Sequence, residues 1–354
     1  MLFWPWHYEQ PLDEGLQLTR VTLATIAEKT GLSKFAVSRA LSGKSGVSEE
    51  TRRLVQSVAA DLGYLRPVPD STSNVLGIVF HDTDLVNSEL QVLVQSGFQS
   101  EAARRGYQAR MLWTHLPDEV EAFARTCAGV SMVGPHLKES KYRVKELGIP
   151  LSLNGWIDPL ERFDMVHGTD HESGAAVANY LIGLGHRRIV YVQGSANYRG
   201  RIERLYGLRE VVEQHPDVEL RQLTFDSEKM FMSCLSELLD DGFHPTAFFC
   251  AHDGLALTAM SELMGMGYKI PHDATVIGFG DFSAATQITP NLTTVKTQGQ
   301  EIGVGLARIL DDRIHQRINP GVPVRLMLCS HLVERQSSGP APAHARRPKA
   351  PLGA

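Results

Sequence analysis

SKFAVSRALSGKS, Ser33 to Ser45, is the stretch on which the reading of this chain turns. Its end, Gly43-Lys44-Ser45, has the form of the tail of a phosphate-binding loop. Its body has the form of a short amphipathic helix that presents cations. A phosphate loop needs a glycine five residues before Gly43, so that the intervening backbone amides can wrap the anion. That position is Ser38. The residues before it also read as helix rather than strand, so the nucleotide reading fails and the helical one is kept.

Working outward, Val21 to Leu62 holds three short helical patterns. The first spans about Leu23 to Thr30, with Thr22 as N-cap and Gly31 as the stop. Leu23, Ile26 and Ala27 fall at the spacing of one buried stripe. The second starts on the cap Ser33 and ends near Leu41. Val37, Ala40 and Leu41 share one arc, and Phe35, Ser38 and Arg39 the other, with Lys34 at the border. The third has Ser48 as cap and Glu49 and Glu50 in its first turn, where the helix dipole favours anions. Leu54, Val55, Val58, Ala59 and Leu62 form its inner face, and Gly63 ends it. The tight Gly31-Leu32 junction predicts a helix-turn-helix, whose second helix enters the major groove and meets base edges with its first turns. Arg39 has the fork geometry for a bidentate contact to guanine. An ordinary three-helix surface with scattered charge is the competing reading.

Bulk properties bound the rest. The chain has 354 residues, 43% hydrophobic and 21% charged, and suggests two or three domains. Its net charge of −5 confines any nucleic-acid surface to a local basic patch. Cys127, Cys234, Cys250 and Cys329 show no paired spacing, so neither a metal site nor a redox pair is expected. No apolar run approaches the ~18 residues of a membrane span. The start, MLFWPWHYEQPLDEG, lacks a basic region and a small-residue cleavage site. A cytoplasmic protein is expected, with residues 1–20 as a disordered arm or a start assigned too early, Val21 being an alternative start. The Pro- and Ala-rich basic end, residues 336–354, reads as a disordered tail.

From Val75 onward, short apolar runs alternate with helical patterns. Strands are expected at Val75–Phe80, Tyr107–Trp113, Gly129–Gly134, Pro150–Asn154, Arg188–Gly194, Thr246–Ala251 and Thr275–Gly280. Between them lie helical stretches at Glu89–Arg105, Glu172–Leu184, Ile202–Glu213, Phe231–Asp240 and Leu255–Met266. The fold class is therefore α/β: a helix-turn-helix headpiece followed by two similar doubly wound lobes with parallel sheets. A ligand is expected between the lobes, beyond the carboxyl ends of the strands. Strand ends nominate Asp82, Asp84 and Ser88, then Asn154 and Trp156, and Asp170 at a helix start. Each could equally be a turn residue, a cap or part of a structural ion pair.

These residues are recognisable. VTLATIAEKTGLSKFAVSRALSGKSGVSEETRRLVQSVAADLGY closely resembles the DNA-binding headpiece of the lactose/galactose repressor (LacI/GalR) family. The family's Val-Ser-Arg-x-Leu stands here as Val37 to Leu41, and its Val-Ser-x-x-Thr-Arg as Val47 to Arg52. Leu62-Gly63-Tyr64 closes the headpiece. LGHRRIVYVQG (Leu184–Gly194), the stretch Phe248–Phe282 and TPNLTTV (Thr289–Val295) are similar to family landmarks in family order, so the resemblance covers about Val21 to Arg335. It implies base reading by Lys34, Phe35 and Arg39, with Thr22, Ser33, Ser38 and Lys44 as phosphate-contacting or capping positions. Phe35 is unusual, since a polar residue is common there. Contact with a thymine methyl and packing inside the headpiece are both open.

The resemblance also implies a headpiece over 21–64, a linker over 65–74 and a two-lobed core over 75–335 like a periplasmic sugar-binding protein. The family chain crosses between lobes three times. The first lobe is thus expected to take 75–187 and 298–318, and the second 188–297 and 322–335. Arg204, in Arg204-Leu-Tyr-Gly207, matches the family's effector-binding arginine, and Phe225 a position that often stacks on the ligand. Two departures stand in the second lobe. His252 replaces a common asparagine, and Gly280 takes the place of an effector-facing aspartate. The missing aspartate argues against an ordinary sugar and leaves a different small molecule, a phosphorylated or acidic ligand, or no effector. Arg204 and His252 without it make the cleft more positive, which favours an anion. A third lies in the linker, LRPVPDSTSN, where Pro67 and Pro69 oppose the family's hinge helix, so weak DNA bending is expected. The expected partners are operator DNA, a small effector (a sugar or an anionic metabolite) and a second copy of the chain, with no membrane and no cofactor. The function expected is an effector-controlled transcription regulator, most naturally a repressor. The alternative is a ligand-binding protein without a regulatory role. No Gly-x-Ser-x-Gly turn, His-Glu-x-x-His helix or dinucleotide fingerprint supports an enzyme.

Overall fold

A computed structural model describes residues 22–41, 46–62, 74–84, 87–194, 198–225 and 230–343. It divides into two compact units, 1–67 and 68–354, each taken here by itself. The expectations for the amino-terminal arm, Lys44, the linker prolines and residues 344–354 lie outside the described residues.

In the first unit, α1 (Leu23–Thr30), α2 (Lys34–Leu41) and α3 (Glu49–Asp61) pack around Ile26, Val37, Ala40, Val55 and Ala59, all buried. The caps explain why such short helices start where they do. Thr22 and Thr25 form a reciprocal capping box. Ser33 Oγ accepts from the Ala36 amide at 3.1 Å, and Ser48 Oγ from the Thr51 amide at 3.2 Å. Gly31, at φ +69°, closes α1 in the left-handed region.

The second unit begins with β1 (Val75–Phe80), α4 (Ser88–Arg104), β2 (Gln108–Trp113), α5 (Pro117–Ala124), β3 (Gly129–Val133), α6 (Lys138–Glu146), β4 (Leu151–Asn154) and β5 (Asp164–Gly168). It continues through α7 (Asp170–Gly183), β6 (Arg188–Val192), α8 (Arg199–Val212), β7 (Glu219–Leu223), α9 (Phe231–Asp240), β8 (Ala247–Cys250), α10 (Asp253–Gly265), β9 (Thr275–Gly280), α11 (Ala284–Gln287) and β10 (Thr293–Lys296). Then come α12 (Gly299–Ile314), β11 (Arg325–Leu328) and β12 (His331–Val333). The strands form two six-stranded sheets, ordered β11-β5-β4-β3-β1-β2 and β12-β10-β9-β8-β6-β7. Every pairing is parallel except β10 with β12. The central strands are buried almost along their whole length, because helices cover both faces; the one polar side chain of VLGIVF and TVIGFG, Thr275, is buried and hydrogen-bonded.

Helix pairs cover each sheet at very close range. A Cβ built on Gly303 of α12 would lie 2.0 Å from the Val94 carbonyl oxygen of α4, and one on Gly97 only 1.9 Å from that of Gln300. In the other lobe a Cβ on Gly174 of α7 would lie 2.0 Å from the Arg204 carbonyl oxygen, and one on Gly207 of α8 1.9 Å from that of His171. The second contact fixes the helix that carries Arg204 against the helix that starts at Asp170.

The lobe boundaries need correction. α7 packs on α8, and its Val177, Ala178 and Leu181 sit in one core with Ile189 and Tyr191, so the first crossing lies near Gly168, not at 187. β11 pairs in parallel with β5, so Arg325 to Leu328 complete the first sheet instead of belonging to the second lobe. The chain changes lobes at Cys329-Ser330, between β11 and β12. The tail expectation also fails for 336–343. Ser337 is fully buried, accepting from the Thr293 amide at 2.8 Å, and the Ala341 amide donates to Leu184 O at 2.9 Å. Small polar residues that look like spacer composition here satisfy backbone groups of the second lobe.

One ion network holds α4 to α12. The buried Glu101 carboxylate accepts from Arg104, Arg105 and Arg308 at 2.7, 2.7 and 2.8 Å. Arg104 first, aided by the other two arginines, holds the Glu101 carboxyl well below the usual range, although burial opposes this. The folded-state value is depressed. Its stabilisation is therefore present above the unfolded carboxylate's pKa of about 4.3 and is lost as pH falls through the lower folded value. Glu101→Gln is expected to cost about 2 kcal/mol in urea denaturation at pH 7. The gap between wild type and variant should close as the titration is carried below about pH 4. A gap independent of pH would mean that the network does not act through that charge.

Candidate nucleic-acid interface and ligand cleft

On the first unit, the outward arc of α2 carries Lys34, Phe35 and Ser38, all exposed, with Arg39 partly exposed. Phe35 is 69% exposed, which excludes packing inside the headpiece. Its ring lies instead beneath the Arg39 guanidinium, 5.3 Å from centroid to Cζ, as the i, i+4 spacing allows. The other flank of Arg39 is backbone: a Cβ on Gly46, which sits at φ +97°, would lie 3.3 Å from Arg39 Nη2. The guanidinium thus lies over an aromatic ring, with Gly46 leaving room beside it. Thr22 and Ser33 both spend their side-chain oxygens on caps, which leaves the helix amino-termini of α1 and α2 ordered on the surface.

In the second unit, the carboxyl ends of the two sheets face each other across a cleft, and the lobes touch there. Tyr198 Oη donates to Asp84 at 2.7 Å. The Ser283 amide and hydroxyl donate to Glu89 at 2.7 and 3.0 Å. The Arg199 guanidinium lies 4.3 Å over the Trp156 ring. Asp84 is buried and also accepts from Asn87. Asp82 is exposed and paired with His115 at 2.8 Å, an interaction that lowers its pKa. Ser88 is exposed at the first turn of α4, and Asn154 donates to the Val166 carbonyl.

The second-lobe wall is built on α8. Arg204 is buried, bonds Asp170 at 2.8 Å and lies 3.7 Å over the Phe279 ring. His252 caps α10: its Nδ1 accepts from the Gly254 amide at 3.0 Å. Burial first, then Arg201 and Arg204, pushes its pKa down to about 4, so the ring is neutral at pH 7. A neutral ring whose Nδ1 accepts carries its proton on Nε2, and that Nε2 is buried with no partner among the described residues.

Two nominated residues differ from expectation. Gly280 offers no side chain, and its place is not open: it sits at φ +135°, and a Cβ there would lie 2.2 Å from the Phe282 ring. The aromatic fills the side an aspartate would need, while Asp281 turns to Arg335 at 2.6 Å. Phe225 packs edge-on against Phe231, 5.6 Å between centroids, at the border of the second-lobe core and is half-buried, so part of its ring serves packing. Arg201, Tyr198 and Phe282 escaped the sequence reading. Arg201 had a signal, lying three residues before Arg204 and so on the same helix face. A second depression, about 720 Å³ and lined by Arg187, Arg188, His244 and Thr246, lies at the amino-terminal end of the second sheet, the wrong end for a ligand in this architecture.

Comparison with known proteins accords with this geometry. Residues 22–67 match the model described as bacterial regulatory proteins, lacI family. Residues 178–338 match the periplasmic binding protein-like domain. The chain thus carries a lacI-type DNA-binding domain and a periplasmic binding protein-like domain, and the relatives it matches are HTH-type transcriptional regulators. The HTH-type transcriptional regulator CelR of Thermobifida fusca is 29% identical over 343 residues, 90% of this chain and 98% of that protein. The HTH-type transcriptional repressor CytR of Escherichia coli K12 is 28% identical, covering 90% and 96%. Among solved structures, the CelR–cellobiose complex superposes with a TM-score of 0.66 at 26% identity, covering 90% of this chain and all of that one. The lac repressor dimer bound to operator and the anti-inducer ONPF gives 0.63 at 21% over 91% and 100%, a likeness of fold. Among the described residues no helix is long and apolar enough to cross a membrane.

Proposed function

We propose that this protein is a cytoplasmic, sequence-specific repressor of the lacI family that binds operator DNA as a homodimer and is controlled by a small molecule held between the core lobes. The observation that carries this reading is the pairing in one chain of a capped helix-turn-helix, with Lys34, Phe35 and Arg39 outward, and a two-lobed cleft with buried, incompletely satisfied donors. α2 lies in the major groove. Lys34, Phe35 and Arg39 meet bases, while Ser38, Lys44 and the amino-termini capped by Thr22 and Ser33 meet phosphates. In the cleft, Arg204, Asp170, His252, Asp84, Trp156 and Asn154 surround the effector, with Asp82 and Ser88 at the rim. Two headpieces on a two-fold axis read a near-palindrome, and the linkage multiplies their affinities.

Fluorescence anisotropy with DNA from upstream of its own and neighbouring genes, at two salt concentrations, tests the proposal. Tight binding to one fragment, altered by a small molecule, is the expected result. Equal, salt-sensitive binding to every fragment would sink it. Phe35 supplies a finer test. An exposed aromatic edge suits a thymine methyl, whereas glutamine suits adenine. Phe35→Gln should shift the preferred operator at that position by about 1–3 kcal/mol with little change in non-specific affinity. An unchanged base preference in a randomised-operator selection would remove Phe35 from the reading surface.

A further inference from the structure

We propose that the cleft takes an oxyanion, the carboxylate or phosphate group of a small metabolite, on Arg201 and Arg204 of α8 together with His252. The inference rests on reading the cleft as the effector site and names the chemistry of what fills it.

Arg201 and Arg204 lie one turn apart on the same face of α8 and are 4% and 8% exposed. Burying two cations side by side is costly unless anions answer them. Asp170 answers Arg204. Among the described residues Arg201 has no ion pair: its Nη1 donates to the Gln193 carbonyl at 2.9 Å, and its guanidinium lies 5.0 Å over the Tyr198 ring. Asp84 attracts it across the cleft, but that carboxylate is already engaged by Tyr198 and Asn87. Beside the two arginines stand two buried donors, Arg204 Nε and His252 Nε2, that have no acceptor among the described residues.

The carboxylates near the wall are already engaged, Asp170 by Arg204 and Asp84 by Tyr198 and Asn87. The backbone at 280 carries no side chain, and the Phe282 ring occupies the adjoining space. A sugar hydroxyl both donates and accepts, so against this wall its proton would find few partners. An oxyanion only accepts, which is what two guanidinium groups and an imidazole N–H require. Asp170 keeps the wall from being purely cationic. Asp170 and the Tyr191 hydroxyl engage part of Arg204, leaving its Nε and Arg201 to define where the anion sits.

The test uses the full-length protein at constant ionic strength. Tryptophan fluorescence, with Trp156 stacked under Arg199 at the cleft, and thermal denaturation are followed with glucuronate, glucose 6-phosphate, inorganic phosphate and glucose, each at millimolar concentration. Saturable binding of glucuronate or glucose 6-phosphate, with none for glucose, is expected. Which of the two binds distinguishes a carboxylate from a phosphate ligand. Arg201→Gln should weaken that binding about ten- to hundredfold, and Arg201→Lys, which restores the charge, should recover part of it. The wild-type comparison among probes stands even where a variant folds poorly. An equal response of wild type and Arg201→Gln to every anion marks an adventitious ion only and overturns the proposal. Binding of glucose alone overturns the anion class while leaving the effector cleft intact. If no anionic probe binds, the class is likewise overturned, and release of the operator fragment by neutral sugars then decides separately whether the cleft regulates.

Discussion

Replacing Arg39 with alanine is expected to abolish selective operator binding while leaving weak, salt-sensitive attraction to any DNA. A bidentate arginine–guanine contact is worth about 1–3 kcal/mol of discrimination. A symmetric operator loses it twice, so the specific affinity should fall by about 2–6 kcal/mol, roughly thirtyfold to twenty-thousandfold. The geometry supports the upper part of that span. The guanidinium lies over the Phe35 ring and is partly covered. A group already partly restricted loses less freedom when it meets a base. Non-specific binding depends on the number of phosphates neutralised, and Arg39→Ala should change the slope of log affinity against log salt by about one unit or less. Anisotropy at two salt concentrations separates the two effects. Alanine binding the chosen fragment as tightly as arginine, with an intact helical circular dichroism spectrum, would take Arg39 out of base recognition.

The elements most legible in sequence were those where local chemistry and packing agree. Thr22, Ser33 and Ser48 are side-chain caps, and each marks the start of a helix within a residue of its expected place. The buried strands were visible as continuous apolar runs because parallel strands covered on both faces need no alternation. Legibility failed where an element draws its stability from distant partners. β11 reads RLML and is largely exposed; only its pairing with β5, far earlier in the chain, makes it a strand of the first sheet. Gln336 to Ala343 have tail-like composition, yet Ser337 and Gly339 supply partners that Thr275, Val276 and Thr293 need. In the cleft, Arg204 was readable from its motif. The displacement of any side chain at 280 by the Phe282 ring was not, since it depends on the backbone turning to φ +135° there. The donors at Arg204 and His252 that no described residue answers likewise exist only in three dimensions.

The single methyl group added by Gly303→Ala should do more damage to the core than most truncations. A Cβ at that position would lie 2.0 Å from the Val94 carbonyl oxygen and 2.6 Å from the Phe98 amide nitrogen. Both obstacles are backbone atoms of α4, so no rotamer change relieves them. Either the helices separate or one of them bends. Separation would loosen Val94, Phe98, Ile302 and Leu306, which are buried together above the first sheet, and would lengthen the Arg308–Glu101 contact that ties the same helices. Overpacking of a core commonly costs about 1–3 kcal/mol, and a backbone obstacle on both sides places this case at or above about 3 kcal/mol. Intrinsic helix propensity acts in the opposite direction by up to about 1 kcal/mol, since alanine favours the helix over glycine. The clash therefore prevails by about 2 kcal/mol or more. Urea denaturation followed by far-ultraviolet circular dichroism measures the balance. Gly183→Ala is the matched control, because a Cβ there meets nothing within 4 Å, and it should be neutral or slightly stabilising. Equal stability of the two variants would mean that α4 and α12 yield at their crossing with little cost, and that the close approach of glycine to backbone does not set the spacing of these helices.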